Sequence, residues 1–218
     1  MKKKGVLFVL FVLPLVAYMF FATGVNHFIT LPTISPKVPE LPISWKSIDG
    51  RPAQLSQHIS ILCFGGADLW AHRGNFFTLH QKIYKPYREF KDYQIVWVVP
   101  NEAEADARKI LAELHPLAAV DHYRVVVATQ ADIQAYYQKF HLLTSLDRQA
   151  GSPMVFIVDK KRDVRGRKGK SDKGTPEYKE GYDTRSAAEL HQEMTDDVKI
   201  ILAEYRLALK RNNAYRTK

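Results

Sequence analysis

Short continuous apolar runs punctuate the chain: "ISILCFGG" (59–66), "YQIVWVVP" (93–100), "YRVVVAT" (123–129) and "SPMVFIVD" (152–159). Each reads as a strand covered on both faces. Between them the apolar residues change to helical spacing. Phe76, Phe77, Leu79, Ile83, Tyr84 and Tyr87 predict a helix within 70–90, ended early by Pro86. "NEAEADARKILAEL" (101–114) predicts a second, acidic at its start and with Asn101 as N-cap. "ADIQAYYQKFHL" (131–142) predicts a third. Ser186 and Glu189 form a capping box before a last helix that carries Leu190, Met194, Val198, Ile201 and Tyr205 on one face. That helix runs to about Arg211, long enough at about 1.5 Å per residue for its far end to protrude. Asp49-Gly50 signals a tight turn between strand-like residues, hence a hairpin. Lys160–Arg162 signals a turn into a short closing strand. Strands alternating with helices imply parallel neighbours, and a closing strand pair implies a mixed α/β sheet flanked by helices.

The N-terminus changes the picture. Lys2, Lys3 and Lys4 precede an uncharged stretch from Gly5 to Val25, and a spanning helix needs about 20 apolar residues. The positive-inside rule then keeps the N-terminus in the cytoplasm and exports the rest. A cleaved signal peptide is the alternative, but "FATGV" is a poor cleavage site. The expected organisation is a Lys run and membrane anchor over 1–25, a Pro-rich spacer over 26–43, a domain over 44–212 and a basic tail over 213–218. The expected location is the cytoplasmic (inner) membrane, single-pass, with the domain in the periplasm or equivalent extracytoplasmic space.

Net charge is +9, which suits anionic surfaces, though nucleic acid does not fit the exported compartment. "RGRKGKS" (165–171) fails as a phosphate-binding loop, because its first glycine would fall at Val164. The segment 166–183 reads as a mobile, solvated basic loop, with anionic lipid headgroups or an acidic partner as the minor reading. The lone cysteine, Cys63, lies inside a strand and is expected to be buried and inert; no internal disulfide is possible.

The element order, with Ser152-Pro153 just before the closing strands, resembles a thioredoxin fold. "ISWKSIDGRPAQLSQHISILCFGG" is similar to the opening of its membrane-anchored branches, and the extra strand–helix block and "MVFIVDKKRDVRGR" resemble the SCO/SenC family. That resemblance covers about residues 43–210. It implies copper delivery or thiol redox in cytochrome oxidase assembly, through a C-x-x-x-C at the first strand-to-helix corner and a histidine before the closing strands. Aligned on "FGGADLWA" and "GSPMVFIVD", those places hold Ala67, Ala71 and Gly151. Copper(I) prefers sulfur and imidazole, and disulfide exchange needs an attacking thiolate. The chain therefore reads as a degenerate member.

Asp68 and His72, with His80 further on, are the remaining metal candidates, but polar residues facing water at a helix start, with Asp68 as N-cap, are the plainer reading. His115, His122, His141 and His191 have no ligand spacing. A possible partner-binding corner is Gly66, Trp70, Ser152 and Pro153, where a cis Ser152–Pro153 bond would let the backbone pair with an extended segment. The expectation is a redox-inactive, membrane-anchored protein-binding or assembly module without cofactor, its envelope partner unknown. The alternatives are SCO-like copper delivery or thiol oxidoreductase activity using non-standard residues, Cys63 among them.

Overall fold

A computed structural model describes residues 2–22, 30–171 and 174–216. Helix α1 (Lys2–Ala22) comes first. The domain then runs β1 (Thr33–Ser35), β2 (Lys46–Ser47), β3 (Ile59–Gly65), α2 (Arg73–Leu79), β4 (Tyr93–Pro100), α3 (Glu104–Leu114), β5 (Tyr123–Ala128) and α4 (Gln130–Gln138). It continues through β6 (Gly151–Val158), β7 (Val164–Arg165), β8 (Arg167–Lys170), β9 (Pro176–Lys179), β10 (Tyr182–Asp183), α5 (Ala187–Glu189) and α6 (Thr195–Arg216). One sheet has the order β1-β7-β6-β3-β4-β5-β2, with β10 also on β6; β8 and β9 form a separate ribbon. β3, β4 and β5 are parallel, and β6 is antiparallel to β3. This is the mixed, helix-flanked sheet expected.

Alternation along the strands sorts the core into two layers. Ile59, Ile61 and Cys63 face a cluster with α2, α3 and α6. Leu62 and Phe64 face the other, with α4 and the Pro-rich segment. α2 widens into a π turn over His80–Tyr84 and stops before Pro86, as its proline requires. The capping box holds in half. Ser186 Oγ accepts the Glu189 N–H at 3.2 Å, but the Glu189 carboxylate accepts from Asp183 N–H.

Several expectations change. Asp49-Gly50 makes the turn but no hairpin, since β2 pairs with β5. The Asp49 carboxylate accepts from the Ser47 hydroxyl and the Arg51 N–H, and the Arg51 guanidinium donates to the Asp121 carbonyl at 2.9 Å just before β5. Asn101 is not an N-cap: Pro100 occupies the position before a 3-10 turn over Asn101–Ala103. The basic segment is not a free loop, because β8, β9 and β10 lie within it. α6 extends to Arg216, beyond the expected Arg211. Among the described residues no helix is long and apolar enough to cross a membrane. α1 ends at Ala22, and residues 23–25 of the expected anchor lie outside the described residues.

The Pro-rich segment is packed onto the domain from Leu31 onward, while 26–29 lie outside the described residues. Leu31, Val38 and Leu41 are buried, and the Glu40 carboxylate accepts the N–H groups of Leu55 and Ser56. β1 pairs with β7, and the β7 residue opposite Thr33 is the buried Arg165. Its guanidinium donates to the Leu31 carbonyl at 2.9 Å, the buried Asp159 carboxylate at 2.7 Å and Glu204 of α6 at 3.0 Å. One side chain thus ties the entering segment, the β6–β7 turn and the last helix. Arg165→Met leaves Asp159 and the Leu31 carbonyl short of a partner and is expected to cost about 3–5 kcal/mol. Urea unfolding measures that loss, and faster amide exchange at Thr33–Ser35 localises it.

Candidate functional site

The β3–α2 corner is built by glycines. Gly65 ends β3 where any Cβ would lie 2.5 Å from Leu69 Cδ1. Gly66 follows at φ +70°, a left-handed backbone that glycine adopts without strain. A Cβ there would lie 2.8 Å from the Gly151 Cα. The two backbones therefore touch, fixing the start of β6 against the end of β3. Ala67 N–H donates to the Gln149 carbonyl at 3.1 Å. The Asp147 carboxylate accepts the N–H groups of Gln149 and Gly151, each at 2.8 Å, which closes the 147–151 turn.

Beside this contact is a cavity of about 200 Å³. Its polar groups come from His72 and Asn75 on the α2 side, Asp147 and Ser152 at the β6 side, and Thr184 and Arg185 after β10. Its apolar surface includes Phe76, Pro153 and Val155, and its floor reaches Cys63. Cofactor pockets typically occupy about 300–1,000 Å³, so the size suits one inserted side chain. Cys63 is 2% exposed, and burial pushes its thiol well above the ordinary thiol range. It sits mid-sheet between Trp97 and Val155.

The four expected corner residues separate. Ser152 and Pro153 line the cavity, and Gly66 stands behind it against Gly151. Trp70 does not line it. Its half-buried ring packs on the core under two cations, Lys109 Nζ at 3.5 Å and the Arg73 guanidinium at 4.7 Å from the ring centroid. No cis peptide occurs among the described residues, so Ser152–Pro153 is trans. The Pro153 carbonyl already accepts both the N–H and the hydroxyl of Thr184, at 3.0 and 2.8 Å. The chain's own segment therefore uses the backbone position expected to meet a partner strand.

The donor set at the corner does not fit copper(I). Ala67, Ala71 and Gly151 carry no ligand atom, and a Cβ at 151 would sit tightly, 3.0 Å from the Gly66 Cα and 3.1 Å from the Asp147 carboxylate. Asp68 and His72 are exposed in the turn before α2; His72, not Asp68, holds the N-cap position, and its side chain makes no capping hydrogen bond. His80 is far from both in character. It is fully buried, stacked on Tyr84, with Nδ1 3.0 Å from the Tyr123 hydroxyl. No group of three potential metal-binding side chains occurs among the described residues. Asn75, Asp147, Thr184 and Arg185 were not legible as site residues. Only the Asp147-to-Gly151 spacing, an acceptor four residues before a backbone N–H, carried a local signal.

Burial, with Lys85 and Arg88 nearby, lowers His80 from 6.5 to about 4. Between those values the unfolded chain binds the extra proton, so stability falls as pH drops from 6.5 towards 4. His80→Asn is expected to flatten that part of the profile in urea unfolding measured across pH. An unchanged slope would assign the titration to other groups.

No family model matches the sequence, and no curated protein matches it. Solved structures do. A protein from Bacteroides thetaiotaomicron described as a protein disulfide isomerase matches at TM-score 0.50 and 12% identity, over 80% of this chain and 95% of its own. A thiol:disulfide interchange protein of the thioredoxin family from Chlorobium tepidum TLS matches at TM-score 0.50 and 16% identity, over 78% of this chain and 99% of its own. The soluble domain of Sco1 from Bacillus subtilis matches at TM-score 0.46 and 14% identity, over 78% and 94%. At such identities the likeness concerns architecture: the chain has a thioredoxin-like α/β fold.

Proposed function

We propose that this protein is a redox-inactive, SCO-like thioredoxin-fold module that binds a protein segment at the β3–α2 corner. The observation that carries the reading is a corner cavity rimmed by hydrogen-bonding groups while the lone thiol, Cys63, is buried below it. A partner side chain enters the cavity beside Ser152 and Pro153. The neighbouring Trp70 ring, with Lys109 and Arg73, offers an amphipathic plate for the flanking residues. Strand addition at Pro153 is disfavoured, because Thr184 already satisfies that carbonyl. Copper delivery and thiol exchange would both need donors the corner lacks.

The proposal includes a location. α1 alone falls short of a membrane-crossing helix, and the proposed anchor is the whole uncharged run from Gly5 to Val25, which holds the chain in the cytoplasmic membrane with the domain on the extracytoplasmic side. Support comes from its uncharged sequence after Lys4 and from the exposed apolar side chains Val6, Phe8, Leu10, Phe11, Leu13 and Leu15.

Proximity labelling in intact envelopes with wild type and with a Trp70→Ala, Ser152→Ala, Pro153→Ala variant tests the corner. Truncating a buried aromatic anchor typically costs 2 kcal/mol or more at an interface, so capture of at least one specific protein should fall about tenfold or more. Unchanged capture by a variant with wild-type circular dichroism would overturn the reading.

A further inference from the structure

The β8–β9 ribbon has two unlike faces. Directly opposed residues share a face in an antiparallel pair. Arg167 opposes Lys179, and these two point to the body of the domain. Arg167 pairs with Asp197 at 2.7 Å, and Lys179 pairs with Glu189 at 3.1 Å and with Glu193. Lys168 opposes Tyr178, and Lys170 opposes Pro176, on the other face. All four are exposed, Tyr178 by 49%. Lys168 and Lys170 have no ion-pair partner among the described residues. The inner cations are spent holding the ribbon in place; the outer ones face solvent beside an aromatic ring.

The position of the ribbon is as informative as its charge. The Gly166 N–H donates to the Pro32 carbonyl at 3.1 Å, so the ribbon starts against the segment by which the chain enters the domain. Thr30, Leu31 and Pro32 line one cleft with Lys168 and Lys170. Ala22, at the end of α1, is eight peptide links before Thr30, a reach of about 29 Å at most. Thr30, which lines the cleft with Lys168 and Lys170, therefore lies within about 29 Å of Ala22.

We propose that this outer face rests on an anionic phospholipid surface, with Lys168 and Lys170 at the phosphates and Tyr178 at headgroup depth. This rests on the membrane location proposed above. Basic side chains next to a membrane tether gain from the negative surface potential, and tyrosine favours the interfacial zone. The contact would fix how the domain stands on its tether and therefore which way the corner cavity faces.

The full chain, reconstituted in vesicles of phosphatidylcholine alone or of phosphatidylcholine with phosphatidylglycerol, is acylated with a water-soluble lysine reagent and read by mass spectrometry. Lys139, exposed after α4, is the internal reference. Acylation of Lys168 and Lys170 is expected to slow about fivefold in the anionic vesicles only, and to recover at high salt. Equal rates in both vesicle types, with the chain membrane-bound, would overturn the ribbon contact and leave the anchor standing. Failure to associate with either vesicle type would overturn the anchor and the contact with it. Protection that appears only after adding envelope protein extract would assign the face to an acidic protein instead.

Discussion

The contact between Gly66 and Gly151 is the constraint on which the corner depends. It joins two residues without side chains; Gly66 is in the left-handed region, where a Cβ would reach 2.8 Å from the opposing backbone, and at Gly151 a Cβ would lie 3.0 Å from Gly66. With that contact made, β3 must stop and β6 must start side by side. The 147–151 turn is then folded over them by the Asp147 carboxylate. Everything that walls the cavity follows from this meeting. So does a cost on one alternative: a histidine at 151, which the SCO resemblance would place there, would set its Cβ 3.0 Å from the Gly66 Cα, and the two backbones would have to ease apart by a few tenths of an ångström.

The outer edge of β6 is closed in two halves. β7 covers Ile157 and Val158, and β10 covers Met154 and Val155, with Thr184 completing the cover at Pro153. Unpaired backbone is the usual handle by which a sheet captures an extended peptide, and here it is already used internally. Recognition is left to side chains, which is why the cavity and the Trp70 plate carry the proposed function. The acidic groups of α5 and α6 that hold the β8–β9 ribbon have a parallel effect. By pairing its inner cations they orient the remaining lysines outward.

Much of the fold was legible because buried strands and amphipathic helices leave strong local patterns. The runs at 59–66, 93–100 and 123–129 each became a central strand, and the stripe from Leu190 to Tyr205 became the last helix. What was missed depended on distant partners. The Asp49-Gly50 turn looked like a hairpin, yet β2 found β5 some eighty residues later. The segment 166–183 looked solvated because its inward cations alternate with outward ones, and the carboxylates that pair them lie on α5 and α6. The Pro-rich segment has weak periodicity, and only the Arg165 clamp and the Glu40 carboxylate show why it packs. Within the site, Ser152 and Pro153 line the cavity. Trp70 was grouped with them by sequence proximity to the glycines, whereas its ring lies under Lys109 of α3.

The central claim is that the corner does no thiol chemistry. Intact-mass spectrometry of the folded full chain, incubated with glutathione disulfide, tests it most directly. The account predicts that no glutathione adduct forms on Cys63 until urea unfolds the domain, because the thiol is buried and held in its protonated form. An adduct that forms in the folded state, faster than the domain unfolds, would contradict it and give the corner a working sulfur.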